Sequence, residues 1–125
     1  MRLLKLVTLL LFIASMIGCE SETPQAYTFE LAITEESIAQ GDSVLQVKQD
    51  DKVTIVITAD KSITFHLHGY DIEKEARPGE PAILGFIANA TGSFQFTAHM
   101  GTNGAHMHGG ESEDIELGRL VVEPR

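Results

Sequence analysis

The chain predicts an all-β sandwich, on three observations. Apolar and polar residues alternate with period two, turn-forming residues separate the alternating runs, and no stretch of useful length has helical periodicity. In chain order, Tyr27, Phe29, Leu31 and Ile33 alternate with Thr28, Glu30, Ala32 and Thr34. Residues 35–40 are too few for a stable helix. Val53, Ile55 and Ile57 alternate with Thr54, Val56 and Thr58, and Ile63, Phe65 and Leu67 with Thr64, His66 and His68. Further strands are expected over 81–87, 93–99 and 117–122. Between them stand Gln40-Gly41-Asp42, Gln49-Asp50-Asp51, Arg77-Pro78-Gly79 and Asn89-Ala90-Thr91-Gly92, all of them turn chemistry. About seven short strands, with turns roughly every eight to twelve residues, indicate an antiparallel sandwich. The one long irregular segment, 101–116, is rich in glycine and acids, and a loop of that length is usually functional or disordered.

The amino-terminal residues read as a leader outside the fold. Arg2 and Lys5 precede an apolar run over 6–17 interrupted only by Thr8 and Ser15, too short for a permanent transmembrane helix. The run ends at Met16-Ile17-Gly18-Cys19, which resembles the lipobox of bacterial lipoproteins. That resemblance implies cleavage before Cys19, acylation of its thiol and attachment to the membrane through the lipid. Residues 1–18 are then the signal peptide, 19–26 a polar tether containing Pro24, and 27–125 one compact domain. Cys19 is the only cysteine in 125 residues, so the domain has neither an internal disulfide nor a thiolate ligand. Eighteen acidic against nine basic residues give a net charge of −9, more negative still once Arg2 and Lys5 are removed. Such a balance disfavours nucleic acid and anionic lipid surfaces and attracts cations, although it also serves plain solubility.

All five histidines fall between 66 and 108, in His66-Leu67-His68-Gly69, His99-Met100 and His106-Met107-His108. Imidazole suits copper and zinc, and thioether favours Cu(I). In a strand, residues i and i+2 share a side about 7 Å apart. His66 and His68 are therefore expected opposite the apolar set Ile63, Phe65 and Leu67. His99, alternating with Phe94, Phe96 and Ala98, is expected to leave the core side as well. Strand-end His68 and His99, with His66 nearby, are expected to form part of a metal site, and the loop carrying His106, Met107 and His108 would fold over it. Taken singly, His66 reads equally well as a surface residue bonded to a neighbour. Singly, too, the loop histidines read as a weak chelating tract, and Met100 and Met107 as packing residues. Beside histidine both methionines are equally candidate ligands, so the candidate metal residues are His66, His68, His99, Met100, His106, Met107 and His108. Glu111, Glu113, Asp114 and Glu116 read chiefly as solvating charges.

The runs Ile63-Thr64-Phe65-His66-Leu67-His68-Gly69-Tyr70-Asp71, Phe94-Gln95-Phe96-Thr97-Ala98-His99 and Leu117-Gly118-Arg119-Leu120-Val121-Val122 resemble a cupredoxin domain over about residues 27 to 123. The resemblance implies an eight-stranded Greek-key β-sandwich with a copper site at one end. Ala98 stands where a blue-copper protein of that family has its ligand cysteine, and Gly101-Thr102-Asn103 where its second histidine is expected. No Cu–thiolate bond can form, which removes the blue-copper electron-transfer centre. The amino-terminal histidine ligand carries over to His66 or His68. His-Leu-His-Gly is also similar to an element of multicopper oxidases, which need several such motifs and a cysteine-bearing centre. The nearer likeness is to cysteine-free cupredoxin-like lipoproteins.

Three functions compete. The first is an envelope-tethered protein that sequesters or delivers copper, as Cu(I) or Cu(II), without catalysis. The second is a type 2 copper centre with redox activity, for which no general base or substrate pocket stands out. The third is a metal-free structural or interaction module on the same fold. No protein partner can be named from the sequence.

Overall fold

A computed structural model of the chain describes residues 22–34, 37–100 and 114–125; the lipobox-like Cys19, and His106, Met107 and His108, lie outside them. The described residues form nine strands and no helix. They are β1 (Ala26–Ile33), β2 (Ile38–Gln40), β3 (Val44–Lys48), β4 (Lys52–Ala59), β5 (Ile63–Leu67), β6 (Ile72–Ala76), β7 (Ala82–Ile87), β8 (Gly92–Met100) and β9 (Asp114–Glu123). One sheet has the order β2-β1-β4-β7 and the other β3-β9-β8-β5-β6. The sandwich expected from alternation is therefore present, with nine strands in place of seven or eight.

Three strands go beyond the sequence expectation. β3 buries Leu45 and Val47 and exposes Val44 and Gln46, an alternation too short to stand out. β6 is an edge strand of Ile72, Glu73, Lys74, Glu75 and Ala76, and charge on an edge discourages pairing with other chains. β2 holds only three residues. The expectation of a purely antiparallel sandwich is corrected at two places. β1 runs parallel to β4, from Ala26↔Lys52 to Ile33↔Ala59, and β3 runs parallel to β9, from Val44↔Arg119 to Lys48↔Glu123. Alternation reports which face is buried and says nothing of strand direction, so the pattern could not distinguish these pairings. Asp114, Ile115 and Glu116, expected within an irregular segment, belong to β9.

The core lies between the sheets. Leu31, Val53, Ile55, Ile57 and Leu84 from one face meet Leu45, Ile63, Phe65, Leu67, Phe96 and Leu120 from the other, all buried. Phe65 and Phe96 form its aromatic centre, with ring centroids 5.4 Å apart, within the range where offset aromatic pairs attract. Gly118 is required by a close approach of chains. A Cβ there would stand 2.0 Å from the Ser43 carbonyl oxygen, which accepts the Arg119 N–H at 2.9 Å.

One pole is closed by a buried charge. Asp51, 1 % exposed, accepts backbone N–H bonds from Gln25 and Lys48, each at 2.7 Å, and is paired with the Arg125 guanidinium. Arg125 also donates to the carbonyls of Gln49 at 2.9 Å and of Glu22 and Thr23 at 3.0 Å. The approach to β1, the β3–β4 turn and the end of the chain are thus joined through one carboxylate. β8 begins at this pole, where Gly92 pairs with Val122, and runs to His99 and Met100 at the other.

Burial opposes the charge on Asp51, but the two N–H bonds and Arg125 outweigh it and hold the carboxyl below its ordinary value. A carboxyl that titrates lower folded than unfolded contributes its stability above the unfolded pKa, about 3.9, and loses it as pH falls through the folded value. Denaturant unfolding should accordingly show Asp51→Ala costing about 3–5 kcal/mol near neutral pH, as when one partner of a buried pair is removed. The deficit relative to the unchanged protein should shrink below about pH 4.

Candidate metal centre

The site is built on β5 and its neighbours. Ile63, Phe65 and Leu67 point into the core at 0–1 % exposure, so Thr64 and His66 must face outward from the five-stranded sheet. Residues directly opposite each other in an antiparallel ladder share a face. His66 therefore lies in a row with Glu73 of β6, Thr97 of β8 and Glu116 of β9, and Thr64 in a row with Glu75, His99 and Asp114. The outward positions expected for His66 and His99 are those observed.

His68 follows the end of β5, where its N–H donates to the Gln95 carbonyl at 2.9 Å. Its ring lies back against His66, with centroids 4.1 Å apart, and its Nε2 is 3.1 Å from the Thr97 hydroxyl. Thr97 is on the outward face yet only 4 % exposed, because these rings cover it. Gly69 makes the turn possible with φ of 84°. A Cβ on Gly69 would lie 2.5 Å from the Phe94 ring. Tyr70 then packs edge-on to Phe94 at 4.8 Å and against Phe86 at 5.0 Å, while its hydroxyl donates to the Ala90 carbonyl at 3.1 Å.

The expected pairing of His68 with His99 differs in the structure. β5 and β8 are antiparallel, with Thr64 opposite His99, so His99 lies beside the start of β5 and His68 beyond its end. His66 stands between them, 4.1 Å from His68 and 6.3 Å from His99 by ring centroid. With metal–nitrogen bonds of about 2.0–2.1 Å, two imidazoles bound near a right angle have ring centres roughly 4–5 Å apart. His66 and His68 meet that spacing, whereas the 6.3 Å between His66 and His99 exceeds it. Among the described residues no group of three His, Cys, Asp or Glu side chains is placed to enclose an ion.

Met100 is not brought to this face. It pairs with buried Ile63 and packs half-buried against the core, on the other side of β8 from His99. Ala98, by contrast, is fully buried and opposite Phe65, so a methyl group fills the position that the cupredoxin resemblance gives to a cysteine. Asp114, read from the sequence as a solvating charge, stands opposite His99 on β9, its Oδ1 2.5 Å from His99 Nδ1. Glu73 is 3.9 Å from His66 Nδ1, beyond hydrogen-bond reach. Thr97 was detectable in principle, two residues before His99 on the same face. Asp114 was not, because segment 101–113 separates it from its partner.

The chain matches the multicopper oxidase family over residues 17–81. No curated protein sequence matches it. Auracyanin A, a "blue" copper protein of Chloroflexus aurantiacus, is similar in structure with a TM-score of 0.54 at 17 % identity, covering 78 % of this chain and 99 % of that one. The periplasmic domain of cytochrome oxidase subunit II from Bradyrhizobium japonicum has a TM-score of 0.56 at 14 % identity, covering 78 % and 83 %. A multicopper oxidase from Pseudomonas thermotolerans has a TM-score of 0.59 at 19 % identity; the match covers 82 % of this chain but 31 % of the oxidase. At these identities the likeness establishes the fold.

The close fit of Gly69 against Phe94 is open to direct test. Gly69→Ala should lower stability by about 1–3 kcal/mol in denaturant unfolding, the usual cost of forcing a side chain into a left-handed, crowded position. It should also shift the His68 ring resonances, since the ring's seat on Thr97 depends on this turn.

Proposed function

The chain belongs to the multicopper oxidase family, as a single cupredoxin-like domain, and we propose that it binds copper through imidazoles on the outer face of the five-stranded sheet, without a thiolate. The observation that carries this reading is the His66–His68 ring pair at 4.1 Å, with His99 on the same face 6.3 Å from His66. The donors fit the ion chemically: imidazole is a good ligand for copper, and Cu(II) stands highest in the divalent affinity order at nitrogen sites. Glu73 and Asp114 flank the row and add negative potential for an arriving cation. His106, Met107 and His108 belong to the segment that leaves β8 after Met100 and returns at Asp114. Met100 and Asp114, the described residues that bound it, adjoin His99, and its imidazoles and thioether are further candidate ligands by type.

In this proposal copper is cargo, sequestered or passed on, and the protein is not an enzyme. The acylated Cys19 would hold the domain at the bacterial cell envelope, on the extracytoplasmic side. The periplasmic subunit II domain of the same fold supports the extracytoplasmic part of that setting. A metal-free module is the second reading, favoured by the lack of three convergent donors among the described residues.

Titration with Cu(I) and Cu(II) separates the two. The proposal expects a Kd below about 1 μM, weakened at least tenfold by His66→Ala with His68→Ala, and no intense thiolate-to-copper absorption band. Binding weaker than that favours the metal-free module, and tight binding unaffected by the double substitution puts the ion elsewhere and overturns the proposed site.

A further inference from the structure

Each imidazole of the row has a different partner, and only one partner can dictate which ring nitrogen carries the proton. His68 Nε2 meets the Thr97 hydroxyl at 3.1 Å, and a hydroxyl donates or accepts equally well, so either tautomer is satisfied. His66 Nδ1 is 3.9 Å from Glu73, too far to bond, and Glu73 is 62 % exposed at its side chain. His99 is different. Its Nδ1 is 2.5 Å from Asp114 Oδ1, and an ionised carboxylate only accepts. That nitrogen must therefore carry a proton.

The contact is also built into the fold. His99 and Asp114 are directly opposed on β8 and β9, so the backbone ladder sets their separation, and the His99 side chain is 28 % exposed. A carboxylate on the far nitrogen of a ligating histidine fixes its tautomer and orientation and raises its basicity.

We infer that Asp114 is a positioning residue, which holds His99 with its proton on Nδ1 and so leaves Nε2 as the nitrogen presented to the metal. The inference rests on the copper-binding reading for its purpose, but not for its geometry. Asp114 touches no metal in this scheme. It acts through His99, while His66 and His68 form the pair that needs no such help.

Nitrogen-15 NMR of the metal-free full-length protein reads the tautomer directly. The unchanged protein should show His99 protonated at Nδ1 whenever the ring is neutral. Asp114→Ala should shift the neutral ring toward the Nε2–H form and weaken copper binding about 10–100-fold. Asp114→Glu should restore the Nδ1–H form at least in part. Glu116→Ala, which removes a charge of the same sign from the neighbouring row, should leave the tautomer unchanged. A neutral His99 protonated at Nε2 in the unchanged protein would overturn the inference. So would Asp114→Ala leaving both tautomer and affinity as they were, or Glu116→Ala matching its effect. If the unchanged protein binds no copper, the copper-binding reading fails, and the metal-free NMR comparison still decides whether Asp114 holds the ring.

Discussion

Burial of Ile63, Phe65 and Leu67 between the sheets is the constraint from which the histidine face follows. All three are 0–1 % exposed, and Phe65 packs against Phe96 with tilted rings at the centre of the core. With a side-chain period of two, their inward placement sends Thr64 and His66 outward, and a slip of one residue would reverse every one of them. β8 obeys the same rule from the opposite side, with Phe96 and Ala98 buried and His99 half-exposed on the outer face. The register Phe65↔Ala98 and His66↔Thr97 then locates His66 and His99 relative to each other. The arrangement of imidazoles is thus a by-product of core packing, refined at Gly69 by a turn that lays His68 over Thr97.

This explains what the sequence could reveal. Alternation around Ile63-Thr64-Phe65-His66-Leu67 identified the strand, its buried side and the outward histidine, because all of these are local. Alternation over β1, β4 and β8 did the same, while β7, apolar on both faces, was legible only as a strand. Pairing partners are non-local, and there the reading was incomplete. Parallel β1–β4 and β3–β9 pairs carry no signature in the pattern of either strand. The choice of His68 with His99 failed to account for antiparallel β5 and β8, which set those two residues beyond opposite ends of the contact and make His66 the central member. Met100 looked like a ligand from its neighbour His99, yet adjacent residues in a strand face opposite ways, and its side chain packs on the core. Asp114 illustrates the same limit: its meaning comes entirely from the residue across the ladder.

Charge is divided between the two ends. At one pole Asp51 is buried and satisfied by two backbone N–H groups and Arg125, so its negative charge is consumed in joining the chain's approach, turn and end. On the outer sheet face Glu73 and Asp114 remain substantially exposed beside histidines, where they can act on a cation. The buried carboxylate serves the fold and the exposed ones serve the face. Ala98, where the cupredoxin resemblance implies a cysteine, is part of the apolar core.

The central claim, that the outer-face imidazoles are where copper binds, is tested most directly by NMR line broadening with substoichiometric Cu(II). Paramagnetic broadening should appear first at His66 and His68, extend to Thr97, His99 and Asp114, and spare the pole around Asp51 and Arg125. Broadening that begins at the Asp51 pole, or that leaves His66 and His68 sharp, would contradict the account.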